Sequence, residues 1–120
     1  MTALYDGNIT WTARSKHDRT TSTVTRVIWR EKEPGGGELA IDVPTPHGRY
    51  TINLRVHALL NGITPAHAAE GRWSTPTPPR SGGCSARVFA SGTSLFLFGE
   101  WEEAGELYDW WIDLWPVEEE

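Results

Sequence analysis

The chain has a single cysteine, Cys84, in 120 residues, so there is no internal disulfide to build and no thiolate-rich zinc site. Helical periodicity is almost absent. The longest strongly apolar stretch, around residues 95–98, falls far short of the roughly 20 residues that a membrane-spanning helix needs. Residues 1–7 lack the basic segment and apolar run of a signal peptide. These absences set the expectation of a soluble cytoplasmic protein with no membrane partner. Basic charge is also scarce, with 11 Lys and Arg against 16 Asp and Glu and a formal net charge of −5. Phosphate neutralisation needs a basic face, so nucleic acid is not an expected partner.

Chemistry-bearing motifs are missing as well. His17, His47, His57 and His67 show no metal-ligand spacing, and the glycines at 35–37 lack the Gly-Lys-Ser/Thr ending of a phosphate-binding loop. Gly82-Gly-Cys-Ser85 has no adjacent signature of a nucleophile, and reads as small residues entering a strand. The expectation is a protein with no cofactor, no metal and no catalytic residue, more a binder than an enzyme.

What is present is alternation. Thr, Val, Ile, Trp and Tyr alternate with polar residues in run after run, separated by Gly and Pro clusters, the pattern of half-buried strands. At this length the chain predicts one domain, residues 1–120, with a single core. Strands are expected near residues 9–14, 23–32, 39–43, 50–60, 84–90 and along the C-terminal hairpin, with a short one at Trp73. Val24, Val27, Ile28 and Trp29 leave the facing of the second strand open. Residues 64–71 predict one short helix, with Thr64 as cap, Pro65 in the first turn and Gly71 as stop. Residues 74–83, rich in Pro, Ser and Gly, read as an extended loop. The fold class is all-β, an antiparallel sandwich or a closed up-and-down barrel of about seven or eight strands, which pattern alone does not separate.

Two hairpins can be put in register. The loop at 44–49 sets Val43 against Tyr50, Ile41 against Ile52 and Leu39 against Leu54, with Glu38 opposite Arg55 on the other face. The turn at 103–106 sets Trp101 against Tyr108, Gly99 against Trp110, Leu97 against Ile112 and Leu95 against Leu114. A one-residue slip would bring Asp109 and Trp111 into that apolar face, so hydrophobicity selects the register. The reverse face holds Phe96, Phe98, Trp111 and Trp115 with Glu100, Asp109 and Asp113. Glu100 lies opposite Asp109 there, a repulsive pair unless a cation, a basic partner or an arginine of this chain covers it.

From Glu100 to the C-terminus there are nine acids and no Lys or Arg. Acids beside aromatic anchors suit capture of a basic protein, with Glu100, Glu102, Asp109, Trp111, Asp113 and Trp115 as the expected contacts. The outward aromatic patch equally suits self-association. An alternative is a barrel that binds a small apolar ligand in a cavity lined by Trp11, Trp29, Trp101, Tyr108 and Trp110. A third is carbohydrate chemistry at Glu100 and Asp109, with Trp111 and Trp115 as sugar platforms.

Ile41-Asp-Val-Pro44, Gly48-Arg-Tyr50-Thr-Ile-Asn-Leu-Arg-Val56 and Tyr108-x3-Ile112-x-Leu114-Trp-Pro116 resemble small, mostly uncharacterised bacterial β-proteins. The plan is distantly similar to that of the competence-associated DNA-entry nuclease inhibitor. The resemblance implies a bacterial all-β binding domain of an inhibitor or immunity-like kind, and carries over no catalytic residue.

Overall fold

The computed structural model describes residues 2–16, 19–33, 36–45, 48–57, 66–76 and 79–117. They form eight strands, β1 (Thr2–Ala13), β2 (Arg19–Glu33), β3 (Gly36–Thr45), β4 (Gly48–His57), β5 (Ala66–Pro76), β6 (Pro79–Ser91), β7 (Ser94–Glu103) and β8 (Glu106–Pro116). Each pairs antiparallel with the next in sequence. β8 returns to β1, with Ile9 opposite Ile112 and Trp11 opposite Trp110, so the sheet closes into a barrel and the sandwich alternative falls away. Closure removes both sheet edges.

Alternation decides what lies inside. Ile9 on β1, Val24 and Val27 on β2, Leu39 and Ile41 on β3, Ile52 and Leu54 on β4, Leu97 on β7 and Trp110, Ile112 and Leu114 on β8 are almost wholly buried. Both expected hairpin registers are found, Val43 against Tyr50 and Trp101 against Tyr108 among their pairs. The β7–β8 turn is Ala104-Gly105, and both residues have positive φ, 52° and 79°, the backbone twist that suits a two-residue hairpin.

Val24 and Val27 both point inward because β2 carries a bulge. Tyr5 pairs with Val27 and Gly7 with Val24, so Thr25 and Arg26 together oppose Asp6. Arg26 has φ 55°, and its backbone N–H donates to the Asp6 carboxylate at 3.0 Å. The extra residue reverses the phase of β2, which is why its facing could not be read from alternation.

The helix expected at 64–71 is not formed. Residues 66–71 belong to β5, where Ala68 pairs with both His57 and Arg87 and Ala69 with both Val56 and Ala86; residues 64 and 65 lie outside the described residues. Eight residues make a marginal helix in isolation, and two flanking ladders offer the same backbone more hydrogen bonds. The extended loop expected at 74–83 is likewise a hairpin, from Trp73 opposite Gly82 to Pro76 opposite Pro79. Residues 58–60 of the expected fourth strand, His17, His47 and the acids at 118–120 fall outside the described residues.

Five tryptophans in or against the core, Trp11, Trp29, Trp73, Trp101 and Trp110, are many for so narrow a barrel, since eight strands leave an interior that side chains just fill or that holds one small ligand. Glycines make the space. A Cβ on Gly99 would sit 2.6 Å from Cζ2 of Trp110, and one on Gly82 would sit 2.7 Å from Nε1 of Trp73.

Candidate functional site at one end of the barrel

The β1–β2, β3–β4, β5–β6 and β7–β8 connections all lie at the same end of the barrel, where the inward residues become aromatic. Trp101 is the hub: its ring centroid is 5.7 Å from Tyr108, 6.0 Å from Trp110 and 6.4 Å from Tyr50, and Tyr50 lies 5.8 Å from Trp73. Its rings with Tyr50 and Tyr108 are inclined by only 28° and 26°, so these side chains form a layered wall.

Beside that wall is a partly open cavity of about 260 Å³, lined by Ile9, Trp11, Thr20, Val43, Thr45, Tyr50, Ile52, Trp101, Glu103 and Tyr108. Ile9, Val43 and Ile52 are nearly inaccessible to solvent and supply an apolar floor. The β2–β3 ladder runs only from Glu33 opposite Gly36 to Ile28 opposite Ala40, so residues 19–27 of β2 and 41–45 of β3 are not laddered to each other. A bulge bends and twists the strand that carries it, and the one at Thr25–Arg26 sits where this ladder ends. The Ser22 hydroxyl still donates to the Pro44 carbonyl across this unladdered seam, and Thr20 on one side of it and Val43 and Thr45 on the other line the cavity.

The polar contribution comes from Glu103. Its side chain is only 9% exposed, yet it accepts a hydrogen bond from the Tyr50 hydroxyl at 2.9 Å and pairs with the Arg80 guanidinium at 2.8 Å. A carboxylate this deep needs such partners. Burial first, then the hydrogen bond and the charge of Glu103, push the Tyr50 hydroxyl up to about 12. Tyr108 is raised in the same direction, chiefly by burial and further by the charges of Glu103 and Glu106. Both phenols therefore stay protonated near neutral pH.

Of the residues expected to line a cavity, Trp11, Trp101 and Tyr108 do so. Trp110 packs against Trp101 and is fully buried as part of the core. Trp29 pairs with Ala3 and Leu39 toward the opposite end of the barrel. Sequence reasoning missed Ile9, Thr20, Val43, Thr45, Tyr50, Ile52 and Glu103. The hairpin registers held a signal for Tyr50, since Val43–Tyr50 and Trp101–Tyr108 are inward pairs close to their turns.

The outer face of β7 and β8 is arranged differently. Arg14 covers the facing acids, with Nη2 at 2.8 Å from Glu100 and 2.9 Å from Asp109 and Nε at 3.2 Å from both Asp109 oxygens. The Arg19 guanidinium lies 5.8 Å from the centre of the Trp111 ring. Three of the six expected partner contacts, Glu100, Asp109 and Trp111, thus engage arginines of this chain. Glu102, Asp113 and Trp115 face solvent, as do Phe98 and the neighbours Phe89 and Phe96, whose rings meet at a tilt of 44°. Cys84 is buried and its thiol is pushed up to about 11 by desolvation, against the pull of Arg72, which leaves little reactive thiolate. Among the described residues no cluster of three potential metal ligands occurs.

Fold and cavity together define an eight-stranded antiparallel up-and-down barrel with an aromatic-walled cavity at one end. No protein-family model, curated protein or solved structure matches the chain.

Proposed function

We propose that this protein is a non-enzymatic barrel that takes a small, largely apolar ligand into the cavity beside Trp101. The observation that carries the reading is the cavity itself, bounded by Trp11, Tyr50, Trp101 and Tyr108 over an aliphatic floor. Concave sites of this kind, apolar with a few placed polar groups, are where small molecules bind. Its volume of about 260 Å³ lies just below the ~300 Å³ at which typical drug-sized pockets begin, which favours a compact ligand.

Tryptophan fluorescence titrated with a panel of one- and two-ring compounds tests the proposal, because Trp11 and Trp101 would report contact. Saturable quenching in the wild type, lost in the cavity-filling variant Thr20→Phe with its thermal unfolding unchanged, is the expected result. No saturable response across the panel would sink the reading.

A second reading is supported by Phe98 and Trp115, 48% and 45% exposed on the acidic outer face. In it, that face docks a basic protein in the manner of an inhibitor. Arg14 already neutralises the facing acids at the centre of the face, so Asp113, Glu102 and Trp115 would carry the contact. A basic partner that binds the Asp113→Lys, Trp115→Ala variant as tightly as the wild type would eliminate it. The glycoside reading draws little support, because one guanidinium occupies the space between Glu100 and Asp109 where a scissile bond would have to lie.

A further inference from the structure

Glu103 is the one acidic side chain in the cavity lining, and no Lys, Arg or His stands there with it. Its side chain is only 9% exposed, and a carboxylate held that far from water needs partners. It has them, but they do not exhaust it. The two oxygens of a carboxylate offer about four lone-pair positions. The Tyr50 hydroxyl is shared between both oxygens, at 3.1 Å and 2.9 Å, while the Arg80 guanidinium reaches Oε2 alone. Oε1 keeps acceptor capacity.

Arg80 does not cancel the charge either. Its side chain is 46% exposed, so water screens it, and it is not part of the lining. Two phenols of the lining register the balance: at Tyr50 and at Tyr108 the charge of Glu103 pushes the hydroxyl up more than the charge of Arg80 pulls it down. Glu106 adds to the push at Tyr108. The cavity is therefore apolar over most of its wall and negative at one point.

We infer that the ligand is a compact amine in its ammonium form, whose charged end hydrogen-bonds to the Glu103 carboxylate and whose apolar body fills the rest of the cavity. This rests on the ligand-binding reading above and adds the chemistry of the ligand. The body lies over Ile9, Val43 and Ile52 and against the aromatic side chains, where a second charge would find no partner. Its size follows from the volume. An apolar cavity of ~150 Å³ takes one benzene ring, so about 260 Å³ suits one ring with a short arm that carries the ammonium group.

2-Phenylethylamine, 2-phenylethanol and 3-phenylpropanoate make the test, because they share a ring on a short arm and end in a cation, a neutral hydroxyl and an anion. Binding is read by tryptophan fluorescence at pH 7. The alcohol can also donate to Glu103, so the comparison isolates the charge. The amine should bind wild type roughly tenfold or more tightly than the alcohol, the scale by which a charge-assisted hydrogen bond exceeds a neutral one, and the anion should bind most weakly. Glu103→Gln keeps the size of the side chain and one acceptor oxygen, and should bring the ratio of amine to alcohol near one. Arg80→Gln removes the opposing charge from outside the lining, and should tighten the amine while leaving the alcohol unchanged. Should Glu103→Gln fail to fold, the wild-type ratio and Arg80→Gln carry the test. Equal or tighter binding of the alcohol in wild type, or a ratio unchanged in folded Glu103→Gln, overturns the inference and leaves the cavity reading standing. Tightest binding of the anion overturns it in favour of a site on Arg80. Failure of all three to bind overturns it as well, and the wider panel then decides whether the cavity reading goes with it.

Discussion

Replacing Gly99 by alanine probes the packing that supports the candidate site. A Cβ built there overlaps the backbone carbonyl of Ser85 on β6 and comes within 2.6 Å and 2.7 Å of Cζ2 and Cε2 of Trp110. The Trp110 ring has little room to retreat, being fully buried and packed 6.0 Å from Trp101. Overpacking a dense core costs about 1–3 kcal/mol, and contact with backbone puts this site in the upper part of that range. Alanine also restricts the unfolded chain relative to glycine, which offsets roughly 0.4–1 kcal/mol. The net expectation is a loss of about 2 kcal/mol, or a Tm lower by about 8 °C for a domain of this length. Urea titration followed by tryptophan fluorescence, with the slope of the transition held to its wild-type value, measures it. Gly83→Ala is the control: Gly83 lies next to Cys84 on the same barrel, and a Cβ there meets nothing within 4 Å, so this variant should be neutral or slightly stabilised. If Gly99→Ala were as stable as Gly83→Ala, the missing side chain at Gly99 would not be what makes room for the indole.

Ala104 holds φ 52° in the β7–β8 turn, a conformation that asparagine tolerates better, so Ala104→Asn should raise stability by about 0.5–1 kcal/mol in the same urea assay. Removing Arg14 should leave Glu100 and Asp109 in unrelieved opposition: Arg14→Ala should lower the Tm at low salt, the deficit should shrink in 1 M NaCl, and Asp109→Asn should recover it. Tyr50 titrates at about 12 when folded and near 10 when unfolded, so the folded state keeps a proton that the unfolded state has lost between those values. Its contribution is therefore whole below pH 10 and declines as the pH rises toward 12. Urea midpoints taken at pH 9, 10 and 11 should fall less steeply in Tyr50→Phe than in the wild type.

Much of the fold was legible because hydrophobic alternation and turn chemistry are local. The turn at 103–106 and the alternation around it were enough to pair Leu95 with Leu114 and to place Gly99 against Trp110. β5 was misread for the complementary reason. Thr64, Pro65 and Gly71 mimic helix punctuation, and only the ladders to β4 and β6 make residues 66–71 extended. The site was legible in part. Trp11, Trp101 and Tyr108 could be recognised as inward aromatics, but an inward position does not say which end of a barrel a residue occupies. Trp29 was grouped with them for want of that information, while Glu103, a polar residue beside a turn, showed no sign of being buried.

The sequence by itself determined an all-β chain, the inward face of most strands and the pairing of two hairpins, because each follows from period two and a short reversal. Tertiary structure decided the rest. Closure of β8 onto β1 joins residues about a hundred positions apart, as in the pairing of Ile9 with Ile112, and alternation carries no record of what lies across a distant seam. The bulge opposite Asp6 ends the regular phase of β2, and the β2–β3 ladder stops beside it. Only in the closed barrel do Tyr50, Glu103 and Arg80 meet, and only there do Trp11, Tyr50, Trp101 and Tyr108 come to line one cavity.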